Sequence, residues 1–207
     1  MRATIFPTFP LARARIMAGA AALAVLATSG PAEAARRSRQ ATPPAPVADA
    51  RCITEQEVVE AQRAWGDGIV AIGRVHAAGG DTVAAAAAHI NRFYGYDQSL
   101  VLFKPTLASV DQFRITFDSA LSYFVGQNPS FPEDRGFALR PWTKVRWANS
   151  GIVNNSCNMA VAMGNYWFTP ADGGAETKVE YTLGYVRGAD GALRIVVHHS
   201  SVPFNPN

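Results

Sequence analysis

Apolar and polar positions change rhythm three times along this chain. An apolar run from Ile16 to Thr28 gives way to Arg- and Pro-rich sequence, then to helical spacing, and finally to the short alternation of strands. Thr54-x-x-Glu57 is a capping box, and Val58, Trp65, Ile69 and Ile72 follow it at helical intervals. Gly79-Gly80 closes that helix, and Asp81 caps a second one running through an alanine tract to Ile90, Phe93 and Tyr94. Leu100 to Phe103 predicts a short buried strand, halted by Lys104-Pro105-Thr106. Thr116 caps a third helix carrying Leu121, Tyr123 and Phe124, with Gly126 beyond its end. A loop rich in Pro and Gly, Gln127 to Gly136, ends the helical half.

The second half is strand after strand. Thr143–Val153, Met159–Thr169, Thr177–Val186 and Leu193–Val202 are rich in β-branched and aromatic residues. Asn154-Asn155, Asp172-Gly173-Gly174 and Gly188-Ala189-Asp190-Gly191 separate them as turns, and turns this short imply an antiparallel meander. Helices first and a curled antiparallel sheet afterwards predict an α+β cone, with the helices covering one sheet face. Such a cone has a natural pocket where the sheet curves around the end of its long helix. No internal repeat is present.

Not all 207 residues belong to that domain. Arg2, Arg13 and Arg15 precede the apolar run, and Ala32-Glu33-Ala34 follows it. This is the pattern of a secretory signal over residues 1–34, too short for a membrane span; the alternative is an uncleaved tether. No Arg-Arg pair precedes the apolar run, which favours general secretion over the twin-arginine route. Residues 35–51, with Arg36, Arg37, Arg39 and Pro43-Pro44-Ala45-Pro46, form a disordered linker. A single folded domain is expected at 52–207, with a periplasmic or secreted location and no membrane contact after cleavage.

Removing the leader and linker reverses the charge argument. The whole chain carries +3, but Arg2, Arg13, Arg15, Arg36, Arg37, Arg39 and Arg51 leave against only Glu33 and Asp49. The domain is therefore slightly acidic, and a nucleic-acid surface is not indicated. Cys52 and Cys157 in an exported chain favour a disulfide, with buried thiols as the alternative.

The polar end of the last strand is where chemistry is expected. Ile195-Val196-Val197 leads into His198-His199-Ser200-Ser201, and strand alternation sends His198 and Ser200 to one face, His199 and Ser201 to the other. A metal site is disfavoured, so no metal and no cofactor are expected. An adjacent His pair cannot face one ion from a regular strand, and no H-x-H, H-E-x-x-H or close cysteine pair exists. His76 falls on the core stripe of the first helix and reads as a structural histidine. The Gly-x-Ser-x-Gly motif of a nucleophile elbow is missing. Glu133-Asp134 sits in a polar loop and reads as solvated. Glu180 is either a buried acid or, the commoner outcome, part of an exposed sheet face. Thr106, Tyr123, His198 and Ser200 remain, and together they could line a small polar pocket with apolar walls.

Several blocks resemble the iota-class carbonic anhydrases, most of all their metal-free, cyanobacterial-type branch. They are Ala64-Trp65-Gly66-Asp67-Gly68-Ile69-Val70, Tyr94-Gly95-Tyr96, Val101-Leu102-Phe103-Lys104-Pro105-Thr106, Ala120-Leu121-Ser122-Tyr123-Phe124-Val125-Gly126, Ala162-Met163-Gly164-Asn165-Tyr166 and His198-His199-Ser200-Ser201. The likeness covers nearly all of the chain from Cys52 onward and departs at a proline-bearing stretch, Asn128 to Pro132. It implies the association-domain fold of calcium/calmodulin-dependent kinase II, within the nuclear transport factor 2-like superfamily. It also implies reversible hydration of CO2 to bicarbonate, with Thr106, Tyr123, His198 and Ser200 at the family's functional positions. Thr106, Tyr123 and Ser200 would then hold water and bicarbonate, and His198 would orient the network or shuttle the proton. A homodimer or larger homo-oligomer joined through the sheet is expected. The rival readings are another small-molecule isomerase or cyclase using Glu180, or a non-catalytic oligomerisation module.

Overall fold

Three helices lie before a five-stranded sheet in a computed structural model that describes residues 52–206. The expected signal (1–34) and linker (35–51) lie outside the described residues. Helix α1 spans Glu55–Ala77 and opens on the expected capping box, with the Thr54 hydroxyl accepting from the Glu57 amide and the Glu57 carboxylate returning to the Thr54 amide. Helix α2, Thr82–Phe93, starts at Asp81, whose carboxylate accepts from the Ala84 amide. Helix α3, Phe117–Val125, is capped by Thr116 and ends at Gly126, whose φ of 70° suits a residue without Cβ.

The sheet comprises β1 (Leu102–Lys104), β2 (Trp142–Val153), β3 (Met159–Pro170), β4 (Thr177–Arg187) and β5 (Leu193–Ser201), in the order β1-β5-β4-β3-β2. Strands β2 to β5 form the expected antiparallel meander. Its register shifts between Asn149 and Gly151 and between Gly184 and Tyr185, which are the irregularities that bend a sheet. Two expectations about β1 need correcting. It runs Leu102–Lys104 rather than Leu100–Phe103, and it pairs parallel to β5, with Phe103 opposite His198. Nor is it wholly buried: as an edge strand it turns Phe103 inward and leaves Leu102 exposed.

The α+β cone is thus observed, with α1 laid along β2. Gly66 and Gly73 permit the approach: a Cβ on Gly66 would stand 2.9 Å from the Val145 Cβ, and one on Gly73 2.9 Å from the Arg140 carbonyl oxygen. Trp65, Ile69 and Ile72 enter the core as predicted, but His76 does not. Burial along α1 stops at Gly73, so nothing covers the last turn and His76 is exposed. Cys52 and Cys157 form the disulfide, fastening the entry of α1 to the β2–β3 turn. The same turn is held by the Ile53 amide donating to the Cys157 carbonyl and the Asn154 side chain donating to the Ile53 carbonyl. A disulfide is the mark of an oxidising, extracytoplasmic setting. Among the described residues no helix is long and apolar enough to cross a membrane.

The Glu133-Asp134 pair corrects another expectation. Arg114 is wholly buried, and an interior guanidinium demands carboxylates. Asp134 supplies one at 2.8 Å, its other oxygen accepting from the Ser122 hydroxyl at 2.6 Å. Glu133 adds an oxygen 3.6 Å from the guanidinium and caps the amides of Ser109, Val110 and Asp111. The loop is therefore pinned to the base of α3 rather than solvated.

Candidate functional site

Every helix and strand except α2 contributes a wall to one cavity of about 60 Å³ between the sheet and α1 and α3. That is room for a few waters or one small, oxygen-rich molecule. Its lining is mostly aromatic, and its polar atoms are few. Thr106, Tyr123, His198 and Ser200 all reach it, so the four residues singled out in the sequence share one space. Strand alternation works as expected: His198 and Ser200 are buried, while His199 faces outward and Ser201 bonds Glu180 at 3.1 Å on the outer face. Glu180 is exposed, which fits the sheet-face reading and not that of a buried acid.

His198 is held at both ring nitrogens. Tyr94 Oη lies 2.9 Å from Nδ1, and Tyr166 Oη lies 3.4 Å from Nε2. Trp65 Nε1 donates to Tyr94 Oη at 3.1 Å, and an indole is only ever a donor. The Tyr94 hydrogen therefore points to Nδ1, which assigns the proton of the neutral imidazole to Nε2, facing Tyr166. Burial, with the charge of His199 adding to it, pushes the His198 imidazole down to about 3, so the ring is neutral at ordinary pH. Phe103 stacks on it with ring centres 4.9 Å apart.

The network continues to the cavity. Ser200 stands beside Tyr166 and works against the rise that burial imposes on its phenol, and the Thr106 hydroxyl donates to Ser200 Oγ at 3.0 Å. Both hydroxyls reach the cavity. Tyr123 stands apart from this chain, its ring stacked on Phe137 with centres 5.6 Å apart. Burial raises its phenol above the ordinary range, partly offset by a hydrogen bond from the Leu107 backbone. Its ring and hydroxyl help line the cavity.

Sequence reasoning named no role for Tyr94 and Tyr166. Tyr166 alternates with Phe168 on the inward face of β3, and a tyrosine on a core face needs a partner for its hydroxyl. That was the available signal. A second buried histidine, His89, lies outside the cavity against Trp65, Phe93 and Phe124. Neither of its nitrogens has a partner, and burial pushes it down to about 3. Among the described residues no group of three or more His, Cys, Asp or Glu side chains gathers as metal ligands.

A family model described as metal-independent carbonic anhydrase matches residues 56–202. A metal-independent carbonic anhydrase of Nostoc sp. is 47% identical over 157 residues, covering 74% of this chain and 76% of that protein. The crystal structure of the iota-carbonic anhydrase from a cyanobacterium, complexed with bicarbonate, is 43% identical with a TM-score of 0.72. It aligns over 78% of this chain and 98% of its own. A nuclear transport factor 2-like superfamily protein of Salmonella enterica serovar Typhimurium aligns over 73% of this chain and 92% of its own, at 13% identity and a TM-score of 0.44.

Proposed function

The chain belongs to the metal-independent carbonic anhydrase family, iota class, and we propose that it hydrates CO2 to bicarbonate with the hydroxyls of Thr106, Tyr123 and Ser200. One observation carries the assignment of roles: a hydrogen-bonded chain from Trp65 through Tyr94 and His198 to Tyr166 ends at the cavity beside the bonded Ser200–Thr106 pair. A metal enzyme lowers the pKa of bound water from about 15.7 to about 7, and here hydrogen bonds must do the polarising. CO2 sits against the aromatic walls. As water oxygen bonds to the carbon, a C=O electron pair moves onto a carboxyl oxygen, where the Ser200 and Tyr123 hydrogens meet the growing charge. The proton lost by that water passes to solvent and buffer at the cavity mouth.

His198 orients this network and does not carry the proton. A ring pushed down to about 3 takes up no second proton at neutral pH, and its nitrogens are occupied by two tyrosines. Fixing Tyr166 holds one wall of the cavity beside Ser200, which is positioning work.

The isomerase or cyclase reading loses its acid, since Glu180 is on the outer face and no carboxylate among the described residues lines the cavity. Assembly through the sheet is supported by exposed Val153, Val161 and Met163. We place the mature domain in the periplasm or outside the cell, consistent with its disulfide.

Stopped-flow CO2 hydration by the wild type and by Tyr123→Phe tests the reading. The wild type should remain active after dialysis against chelator, and Tyr123→Phe should lose about 10²–10³-fold in kcat, the usual cost of a charge-stabilising donor. Activity abolished by chelator and restored by zinc would sink the metal-free mechanism.

A further inference from the structure

The cavity's product is an anion, yet its floor carries no cation. Only one charged side chain among the described residues lines the space, Arg140. It stands at the mouth with Leu107, Thr177 and Val202, all exposed, whereas Tyr123, His198 and Ser200 are buried. It also borders a recess of about 100 Å³ on the other side of Tyr123 and Phe137. Resting on the carbonic anhydrase reading above, we propose that Arg140 is an anion-binding residue for this reaction, receiving bicarbonate at the mouth and passing it to Tyr123 and Ser200.

Three features of the structure argue for this. First, the backbone of Arg140 is anchored: its carbonyl accepts from the Trp142 amide at 2.7 Å and lies against Gly73 of α1, where a Cβ would come within 2.9 Å. The residue therefore leaves from a fixed point. Second, its guanidinium is not neutralised. Glu133 and Asp134, which line the same recess, are committed to Arg114 and to backbone amides, and no ion pair to Arg140 occurs among the described residues. Elsewhere Arg146, Arg187 and Arg194 each hold a carboxylate within 3 Å. Third, the side chain is directed along the cavity wall, its guanidinium carbon 5.9 Å from the centre of the Trp142 ring. The charge already reaches Tyr123, whose ionisation it favours.

A guanidinium is a planar fork of donors matched to a planar oxyanion. At an exposed mouth its attraction is screened by salt but acts over about a Debye length, which suits capture from solution. Leu107, Thr177 and Val202 offer no competing charge. Neutral CO2 gains nothing from such a residue, so the two directions of the reaction should respond differently in KM. Overall equilibrium still requires kcat/KM to change by one common factor in both.

The test uses the full-length protein with Arg140→Gln and Arg140→Lys. Bicarbonate dehydration, CO2 hydration and inhibition by nitrate, an inert planar oxyanion, are measured at low and high ionic strength. Arg140→Gln should raise the bicarbonate KM and the nitrate inhibition constant about tenfold, with a CO2 KM within twofold of wild type. Arg140→Lys should recover part of the loss, and the salt dependence of bicarbonate KM should flatten in Arg140→Gln. Bicarbonate and nitrate constants within twofold of wild type in Arg140→Gln would overturn the proposal. So would equal losses in both variants accompanied by lowered melting temperatures, since these mark a structural residue. Nitrate binding by calorimetry separates this proposal from the enzyme assignment. A wild type that hydrates no CO2 but binds nitrate through Arg140 keeps the anion site and rejects only the reaction.

Discussion

Two buried imidazoles flank Trp65, and they could hardly be used more differently. His198 meets the indole edge at 5.6 Å between ring centres and His89 at 5.8 Å. Burial pushes both down to about 3. His198 nevertheless has a tyrosine at each nitrogen and leads into the cavity, while His89 has no partner and is walled by aromatic rings. A depressed pKa therefore does not mark the working histidine here. The partners do, because only a bonded imidazole can hold another hydroxyl in one orientation.

The sharpest way to break this contrast is to remove each ring. His198→Leu leaves the Tyr94 hydroxyl without its acceptor and the Tyr166 hydroxyl without its imidazole partner, at a cost of about 1–3 kcal/mol each. Its CO2 hydration should fall by about 10²-fold or more, read by stopped flow on protein confirmed as folded by circular dichroism. Activity within a few-fold of wild type would reduce His198 to the same status as His89. A smaller effect is expected for Tyr94→Phe, which strips Nδ1 of its donor but leaves Tyr166 and Ser200 in place. About tenfold in kcat is the expected loss, with KM little changed.

His89→Leu should do the opposite. It replaces two unpaired buried nitrogens with apolar atoms, so activity should stay within twofold and the urea midpoint should hold or rise. The smallest effect is in pH. Both rings titrate near 6.5 when unfolded and at about 3 when folded. Between those values the unfolded chain binds protons that the folded chain refuses, so stability falls as pH drops through that window and is flat above it. Glu57, held at about 2 mainly by its hydrogen bond with Arg187, adds to the same acid loss below its ordinary 4.5. Urea midpoints from pH 7 to pH 4 should therefore decline in the wild type and decline less in His89→Leu. Equal slopes would mean that His89 is not the buried neutral ring described above.

Local chemistry explains why so much of the fold was legible. Thr54 with Glu57, Asp81 and Thr116 are caps whose effect is settled within a few residues, and all three helices begin where those residues place them. Strand alternation likewise separated His198 from His199 correctly. What the sequence hid depends on partners far away along the chain. Asp134 looks like loop polarity until Arg114 is seen beneath it, and Tyr94 looks like core until His198 arrives. His76 had the right spacing for burial, but spacing cannot say where the covering surface ends. The parallel pairing of β1 with β5 was out of reach for the same reason, since turn length speaks only for neighbouring strands.

That parallel pair has a consequence for how the molecule is made. β5 is the last of the described strands to be synthesised, yet it sits between β1 and β4 rather than at an edge. Phe103 must wait for His198, and Thr106 for Ser200, 94 positions later. Contacts this distant are slow to form, since a long loop must close before they return any energy. Until then β1 lacks its partner and the cavity lacks its floor. A chain that stopped short of Leu193 would leave β1 without a neighbour in the sheet and the cavity without His198 and Ser200.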